Sequence, residues 1–334
     1  MVSILMTKKY HVYGVGNALV DMEFEVTPDL LTQLKIDKGV MTLMDEAQQQ
    51  SVIEKLPPAC KRACGGSAAN TMVAISQLGG KGFYSCKVAN DDSGKFYLED
   101  LVGCGLETNL NQDSRPEGVT GKCLVLVTPD ADRTMNTFLG ITGDLTTEEL
   151  NLEALCNSEY VYIEGYLASS ATAVATATKA METAQSAGVK TAFSLSDANM
   201  VDFFRTGVDA IIGDGVDLLF SNEVEALKMA QTEDLIIAID YLKNLAQTFA
   251  ITLGKKGSLI FDGENLLEIP PFPVDAVDTV GAGDMYAGCL LYGITNGLTW
   301  SSAGKLASLA SAKLVTSFGP RLTTSELQDI LASC

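Results

Sequence analysis

The chain has 334 residues, 47% of them hydrophobic, enough apolar material for one large α/β domain or two smaller ones. A formal net charge of −19 argues against a nucleic-acid partner or an anionic membrane surface, so an anionic ligand must be held by local amides and a few cations. The eight cysteines include no C-x2-C pair and His11 is the single histidine, which sets aside zinc fingers and histidine-based triads.

No apolar run is long enough to span a bilayer. With no secretory signal at the start, the cysteines read as reduced thiols of a cytoplasmic protein. After a short leader, Tyr10 to Val15 reads as a strand ending in Gly14-Val15-Gly16-Asn17-Ala18-Leu19-Val20-Asp21. A lone G-x-G without its third glycine is weak evidence for a dinucleotide site. Asn17 and Asp21 follow a strand's carboxyl end, where open α/β sheets place ligands, and an aspartate suits a pair of vicinal hydroxyls. A solvated turn explains the same residues. Val40 to Leu43 is expected as a short strand and Asp45 to Leu56 as a helix stopped by Pro57-Pro58.

Cys64-Gly65-Gly66-Ser67-Ala68-Ala69-Asn70-Thr71 is a small-residue turn opening an apolar helix, so backbone can approach a ligand there. Asn70 is expected to face outward from the first helical turn. Phe83 to Val88 reads as a strand, and Asn90 to Gly94 caps a helix through Leu101. Gly121 to Val127 and Arg133 to Leu139 form a predicted hairpin around a turn at Pro129-Asp130-Ala131-Asp132, with Arg133 at its mouth. That arginine is either an edge charge or a fork of donors for phosphate.

Strand and helix then alternate: strands at 160–164, 189–194, 217–220 and 249–252, helices at 169–187 and near 201–204, and a further helix after Ser221-Asn222-Glu223-Val224-Glu225. A turn at Gly254-Lys255-Lys256-Gly257 leads into a hairpin over 258–269. Repeated βαβ units predict a parallel sheet covered on both faces.

Asp278-Thr279-Val280-Gly281-Ala282-Gly283-Asp284 comes next, a glycine-rich turn opening an apolar helix to about Gly297, and a helix over 303–317 closes the core. Free amides at such a helix start attract anions. Asp284 sits awkwardly beside them. It is either a capping aspartate, a common feature contributing about 1 kcal/mol, or a general base beside a transferring phosphoryl group.

The two glycine turns, in this order, resemble the two signatures of the PfkB/ribokinase family of sugar and nucleoside kinases. The likeness is nearest to the adenosine kinases: Gly16-Asn17-Ala18-Leu19-Val20-Asp21 is similar to their opening motif, with Ala18 in place of proline. Thr120-Gly121-Lys122-Cys123 and Asp132-Arg133-Thr134-Met135 are similar to their lid strands. The resemblance implies a ribokinase-like three-layer α/β fold with a mostly parallel central sheet flanked by helices, plus a small β-rich lid. The core would be 1–16, 63–109 and 141–334, and the discontinuous lid 17–62 and 110–140.

It further implies ATP-dependent phosphorylation of a primary hydroxyl, adenosine being the best single acceptor. Asp284 would be the base, and the amides of Ala282, Gly283 and Asp284 an anion hole, with Arg133 closing over the phosphates. Asn17, Asp21, Gly65, Gly66, Ser67 and Asn70 would hold the acceptor, with Met135, Tyr166 and Phe138 against a purine. Asn222, Thr252, Gly254, Gly257, Gly281 and Gly283 would border ATP. Asn222 and Glu225 would organise Mg2+, partly through water, and Asp278 with backbone near Gly319 a K+ ion. Glu164 stands where animal adenosine kinases usually carry a small residue, so a polar sugar or base contact is expected if it faces the pocket. A ribose or fructose kinase is the main alternative; a non-catalytic nucleoside sensor and an NAD-dependent dehydrogenase are the readings from other classes. No nucleic acid or membrane partner is expected, and the assembly is a monomer or homodimer.

Overall fold

A computed structural model describes residues 8–39, 41–59, 61–129 and 133–334 of the chain. Val40, Cys60 and most of the expected Pro129–Asp132 turn lie outside the described residues. In chain order the strands are β1 (Tyr10–Val15), β2 (Leu19–Glu25), β3 (Met41–Leu43), β4 (Lys61–Gly65), β5 (Gly82–Ser85), β6 (Glu107–Thr108), β7 (Thr120–Val127), β8 (Arg133–Gly140), β9 (Ser158–Glu164), β10 (Lys190–Ser194), β11 (Val216–Asn222), β12 (Ala246–Thr252), β13 (Ser258–Phe261) and β14 (Leu266–Ile269). The helices are α1 (Pro28–Leu34), α2 (Glu46–Ile53), α3 (Ser67–Gln77), α4 (Asp92–Gly103), α5 (Leu152–Cys156), α6 (Ala171–Ser186), α7 (Ala198–Phe203), α8 (Arg205–Ile212), α9 (Glu223–Ala230), α10 (Leu235–Leu242), α11 (Ala282–Thr295), α12 (Trp300–Leu314) and α13 (Thr324–Ser333).

Nine strands form the large sheet in the order β14-β13-β12-β11-β10-β9-β1-β5-β6, parallel from β12 to β6 and antiparallel at the β13–β14 edge. One face is covered by α3, α4, α11, α12 and α13, through residues such as Met72, Leu101, Leu290 and Leu306. The other is covered by α5, α6 and α8 to α10, through Ala177, Met181, Ile211 and Ile239. This is the expected three-layer α/β architecture, and both sheet faces are apolar because both are buried.

The second sheet has five strands in the order β3-β8-β7-β2-β4, mixed in direction. Alternation divides its faces. Phe24, Leu124 and Leu126 pack on Leu31 and Val52 of α1 and α2, while Asp21, Cys123 and Met135 face a cavity between this lid and the large sheet. The expected boundary at 62 shifts, since β4 keeps the chain in the lid sheet to Gly65. β2, β4, β6, α1, α5, α8, α10 and α13 are additions to the elements predicted above.

Candidate active site

The parallel strands β1, β9, β10, β11 and β12 end on one side of the sheet, and the lid stands over those ends. The cavity between them encloses about 410 Å3. Strand ends supply Asn17, Glu164, Tyr166, Ser194, Asn222 and Thr252; the two glycine turns supply Gly66, Ser67, Asn70, Gly281, Gly283 and Asp284. Such a crevice is where an open α/β sheet accepts ligand.

Helices α3 and α11 bring the two turns together. Gly288 of α11 lies where a Cβ would approach the Thr71 carbonyl to 2.6 Å, so only glycine permits this helix–helix distance. At that spacing Asp284 meets α3: its Oδ1 accepts from Ser67 Oγ at 2.6 Å and its Oδ2 from Asn70 Nδ2 at 3.1 Å. The N-cap of α11 is Gly281, in the left-handed region at φ 77° and with no side-chain cap, and Asp284 lies beyond it in the first turn. The capping alternative for Asp284 is therefore excluded. Burial pushes its carboxyl up to about 6, opposed by the bonds from Ser67 and Asn70 and by the Arg321 charge.

Fewer helix-start amides face the cavity than expected. The Ala282 amide donates to Thr279 O at 3.2 Å, and Ala282 does not line the cavity. The α11 ladder begins with Met285 N–H to Gly281 O at 2.8 Å, so the amides of Gly283 and Asp284 precede it. A Cβ on Gly281 would strike Pro320 at 2.7 Å, whereas none at Gly283 would meet anything within 4 Å, leaving that backbone open to the cleft.

Asn70 is only 6% exposed, not outward-facing: its Oδ1 accepts from Arg321 Nε at 2.8 Å while its amide nitrogen serves Asp284. Glu164 is fully buried, and its oxygens accept the amides of Asn17 at 2.8 Å and Ala68 at 2.6 Å. It braces the turns at Asn17 and Ala68, both its oxygens engaged by backbone, which explains the departure from a small residue. Burial lifts its carboxyl to about 7. Asp21 stands on β2, inside a strand and not past one, and its carboxyl is likewise pushed to about 7 by burial, offset by Arg321 and Arg133. Gly65 does not line the cavity; a Cβ there would lie 2.5 Å from the Asp21 carboxylate, so glycine makes room for that group.

Asn222 and Glu225 close on each other as a capping box for α9. Glu225 accepts from the Asn222 amide at 2.9 Å and from its Nδ2 at 2.6 Å, and Asn222 Oδ1 accepts from Glu225 N–H at 2.9 Å. Both still line the cavity, and burial raises the Glu225 carboxyl to about 7. Thr252 lines it too; Gly254 and Gly257 lie beyond it in the β12–β13 turn, both at positive φ.

Arg133 opens onto a smaller adjoining pocket of about 50 Å3. Its guanidinium bridges lid to core, pairing Glu23 at 3.6 Å and Asp278 at 3.1 Å. Asp278 also accepts from the amides of Val280 at 3.1 Å and Gly319 at 2.8 Å. Met135 and Tyr166 line the main cavity, as expected. Phe138 does not, because Met135, Thr137 and Leu139 occupy the cavity-facing register of β8 and Phe138 the opposite one. That parity makes Thr137 and Leu139 readable in hindsight. Arg321, the cation nearest Asp284 in this network, carries no motif that reveals it.

The pfkB family carbohydrate kinase model matches residues 36–327. The chain belongs to that family. This PfkB kinase is a phosphotransferase with an alcohol group as acceptor, and kinases of the family use ATP, typically with Mg2+. It is 32% identical to the crystal structure of adenosine kinase from Sinorhizobium meliloti, covering 97% of this chain and 99% of that one at a TM-score of 0.89. A probable sugar kinase from Rhizobium etli matches at 30% identity, 98% of both chains and the same TM-score of 0.89. Probable fructokinase-3 of Arabidopsis thaliana is 28% identical over 72% of this chain and 71% of its own length. Among the described residues no helix is long and apolar enough to cross a membrane.

Proposed function

We propose that this PfkB kinase transfers the γ-phosphoryl group of ATP to the primary hydroxyl of adenosine, giving AMP and ADP, in the cytoplasm. The observation that carries the reading is the division of the cavity. Asp21, Ser67, Asn70 and Asp284 give it a polar part, whereas Met41, Leu43, Met135 and Leu139 of the lid and Tyr166 and Met200 of the core are apolar or aromatic. A purine has a flat apolar face for the second part and a ribose for the first; a free sugar leaves the apolar part unfilled. The likeness to a bacterial adenosine kinase over nearly the whole chain supports the same reading.

In this reading the acceptor oxygen forms a bond to the γ phosphorus as the bond to the ADP oxygen breaks, and the hydroxyl proton passes to Asp284. The amides of Gly283 and Asp284 offset negative charge developing on the transferred group. Lid closure keeps out water, which would otherwise compete as acceptor. Magnesium would neutralise phosphate charge. The Glu225 oxygens accept from Asn222 and the Asn222 Oδ1 accepts from the Glu225 amide, yet each retains lone pairs, so they fit a cation held through its water shell. Asp278 does not fit a potassium ion: its carboxylate is surrounded by two backbone amides and the Arg133 guanidinium, all donors.

The second reading, a sugar kinase, is favoured by the likeness to the probable sugar kinase from Rhizobium etli, at the same TM-score. An ADP-release screen across adenosine, inosine, guanosine, ribose and fructose separates them. Adenosine is expected to give the highest kcat/KM; a response to free sugars alone rejects the nucleoside reading.

A further inference from the structure

The segment that follows α12 reaches back into the site at several points. Gly319 N–H donates to Asp278, Pro320 packs against Gly281, and the Leu322 carbonyl accepts from Gln77 Nε2 at 2.9 Å on α3. Arg321 is therefore held on both sides. Its side chain is 15% exposed, with Nη1 donating to Asp100 Oδ2 at 2.7 Å and Nε to Asn70 Oδ1 at 2.8 Å.

An arginine nitrogen can only donate, so it dictates which end of the Asn70 amide faces it. With Oδ1 turned to Arg321, the Nδ2 of Asn70 is turned to Asp284, 3.1 Å from its Oδ2. A donor at that position favours the ionised carboxylate; the flipped amide would present an oxygen and favour the protonated acid.

We propose that Arg321 is a positioning residue for phosphoryl transfer, which through Asn70 holds Asp284 ionised and aimed as proton acceptor. The inference rests on Asp284 having that role. Titratable groups on several elements feel the Asp284 charge, Asp21 on β2, Tyr162 and Glu164 on β9 and Tyr166 just after it, while Arg321 acts on Asp284 itself. Arg321 is the positive member of this set. Its removal leaves a buried carboxylate among carboxylates and phenols, with Asn70 free to turn.

The test uses the full chain with ATP, Mg2+ and the best acceptor from the screen, and follows kcat/KM against pH. The wild-type acid limb is expected near the Asp284 value of about 6. Arg321→Met is expected to move that limb up by about one unit. Arg321→Lys keeps the charge and a donor for Asn70 but not the two spaced nitrogens that fix it between Asn70 and Asp100, so its limb should stay near wild type while kcat falls and KM for ATP holds. An Arg321→Met enzyme that melts like wild type and keeps the wild-type limb overturns the inference. If Arg321→Met does not fold, an unchanged kcat in Arg321→Lys overturns it instead. Asp284→Asn, run alongside, separates the two levels: full turnover in that variant rejects the proton-acceptor reading, whereas its inactivity beside an unmoved Arg321→Met limb rejects the Arg321 link alone.

Discussion

Replacing Glu164 by glutamine gives a stability change whose size depends on pH. The carboxylate is fully buried and accepts one backbone amide on each oxygen, from Asn17 and Ala68. Glutamine keeps the shape and one acceptor but turns an NH2 group toward the other amide, donor against donor. An unmatched buried donor costs about 1–3 kcal/mol. Charge acts the other way. Burial raises the Glu164 carboxyl from 4.5 to about 7, a shift that corresponds to about 3 kcal/mol. Because the folded value lies above the unfolded one, the contribution is fully present below about 4.5 and is lost as pH rises through about 7. Glutamine has no such loss. Glu164→Gln should therefore destabilise by about 1–3 kcal/mol near pH 5 and approach wild type near pH 8. Urea denaturation at the two pH values measures this. An equal penalty at both refutes the picture of a buried carboxyl that loses stability as it ionises.

Other substitutions probe the remaining parts of the site. Gly66 has φ 99°, and a Cβ there would meet the Asn17 carbonyl at 2.3 Å, so Gly66→Ala should lower stability by about 1–3 kcal/mol and weaken acceptor binding, read by thermal melts and KM. Glu225→Gln can still complete the capping box, so its melting should stay within about 0.5 kcal/mol of wild type while the Mg2+ concentration for half-maximal rate rises. An unchanged Mg2+ response would leave Glu225 as a cap alone. Exchanging potassium for choline should leave turnover unchanged, because Arg133 and two amides already satisfy Asp278; specific activation by potassium contradicts that arrangement.

Both glycine turns were legible because their spacing is local, and so was the alternation that builds the large sheet. The remaining features depend on contacts between distant segments. Asp284 could not be told from a cap until α11 was seen pressed onto α3 at Gly288, which turns the carboxylate toward Ser67 and Asn70. Strand β2 was missed because its cavity-facing positions carry Asp21 and Glu23, carboxylates that obscure the pattern of a buried strand. Helix α10, Leu235–Leu242, is apolar at nearly every position except Asp240, so no helical period stands out. The Asn222–Glu225 pair matched a family motif, yet its spacing is also that of a capping box, and in the fold the cap is what forms. Arg321 is a single charge in a polar tail whose meaning comes only from where the tail returns.

The central claim is that Asp284 takes the proton from the acceptor hydroxyl. Asp284→Asn tests it most directly, because asparagine keeps the size and can still bond Ser67 but cannot accept a proton at neutral pH. ADP release with adenosine should fall by about 10²- to 10⁴-fold, while ATP and adenosine still raise the melting temperature as in wild type. A folded Asp284→Asn enzyme that turns over within about tenfold of wild type contradicts the claim.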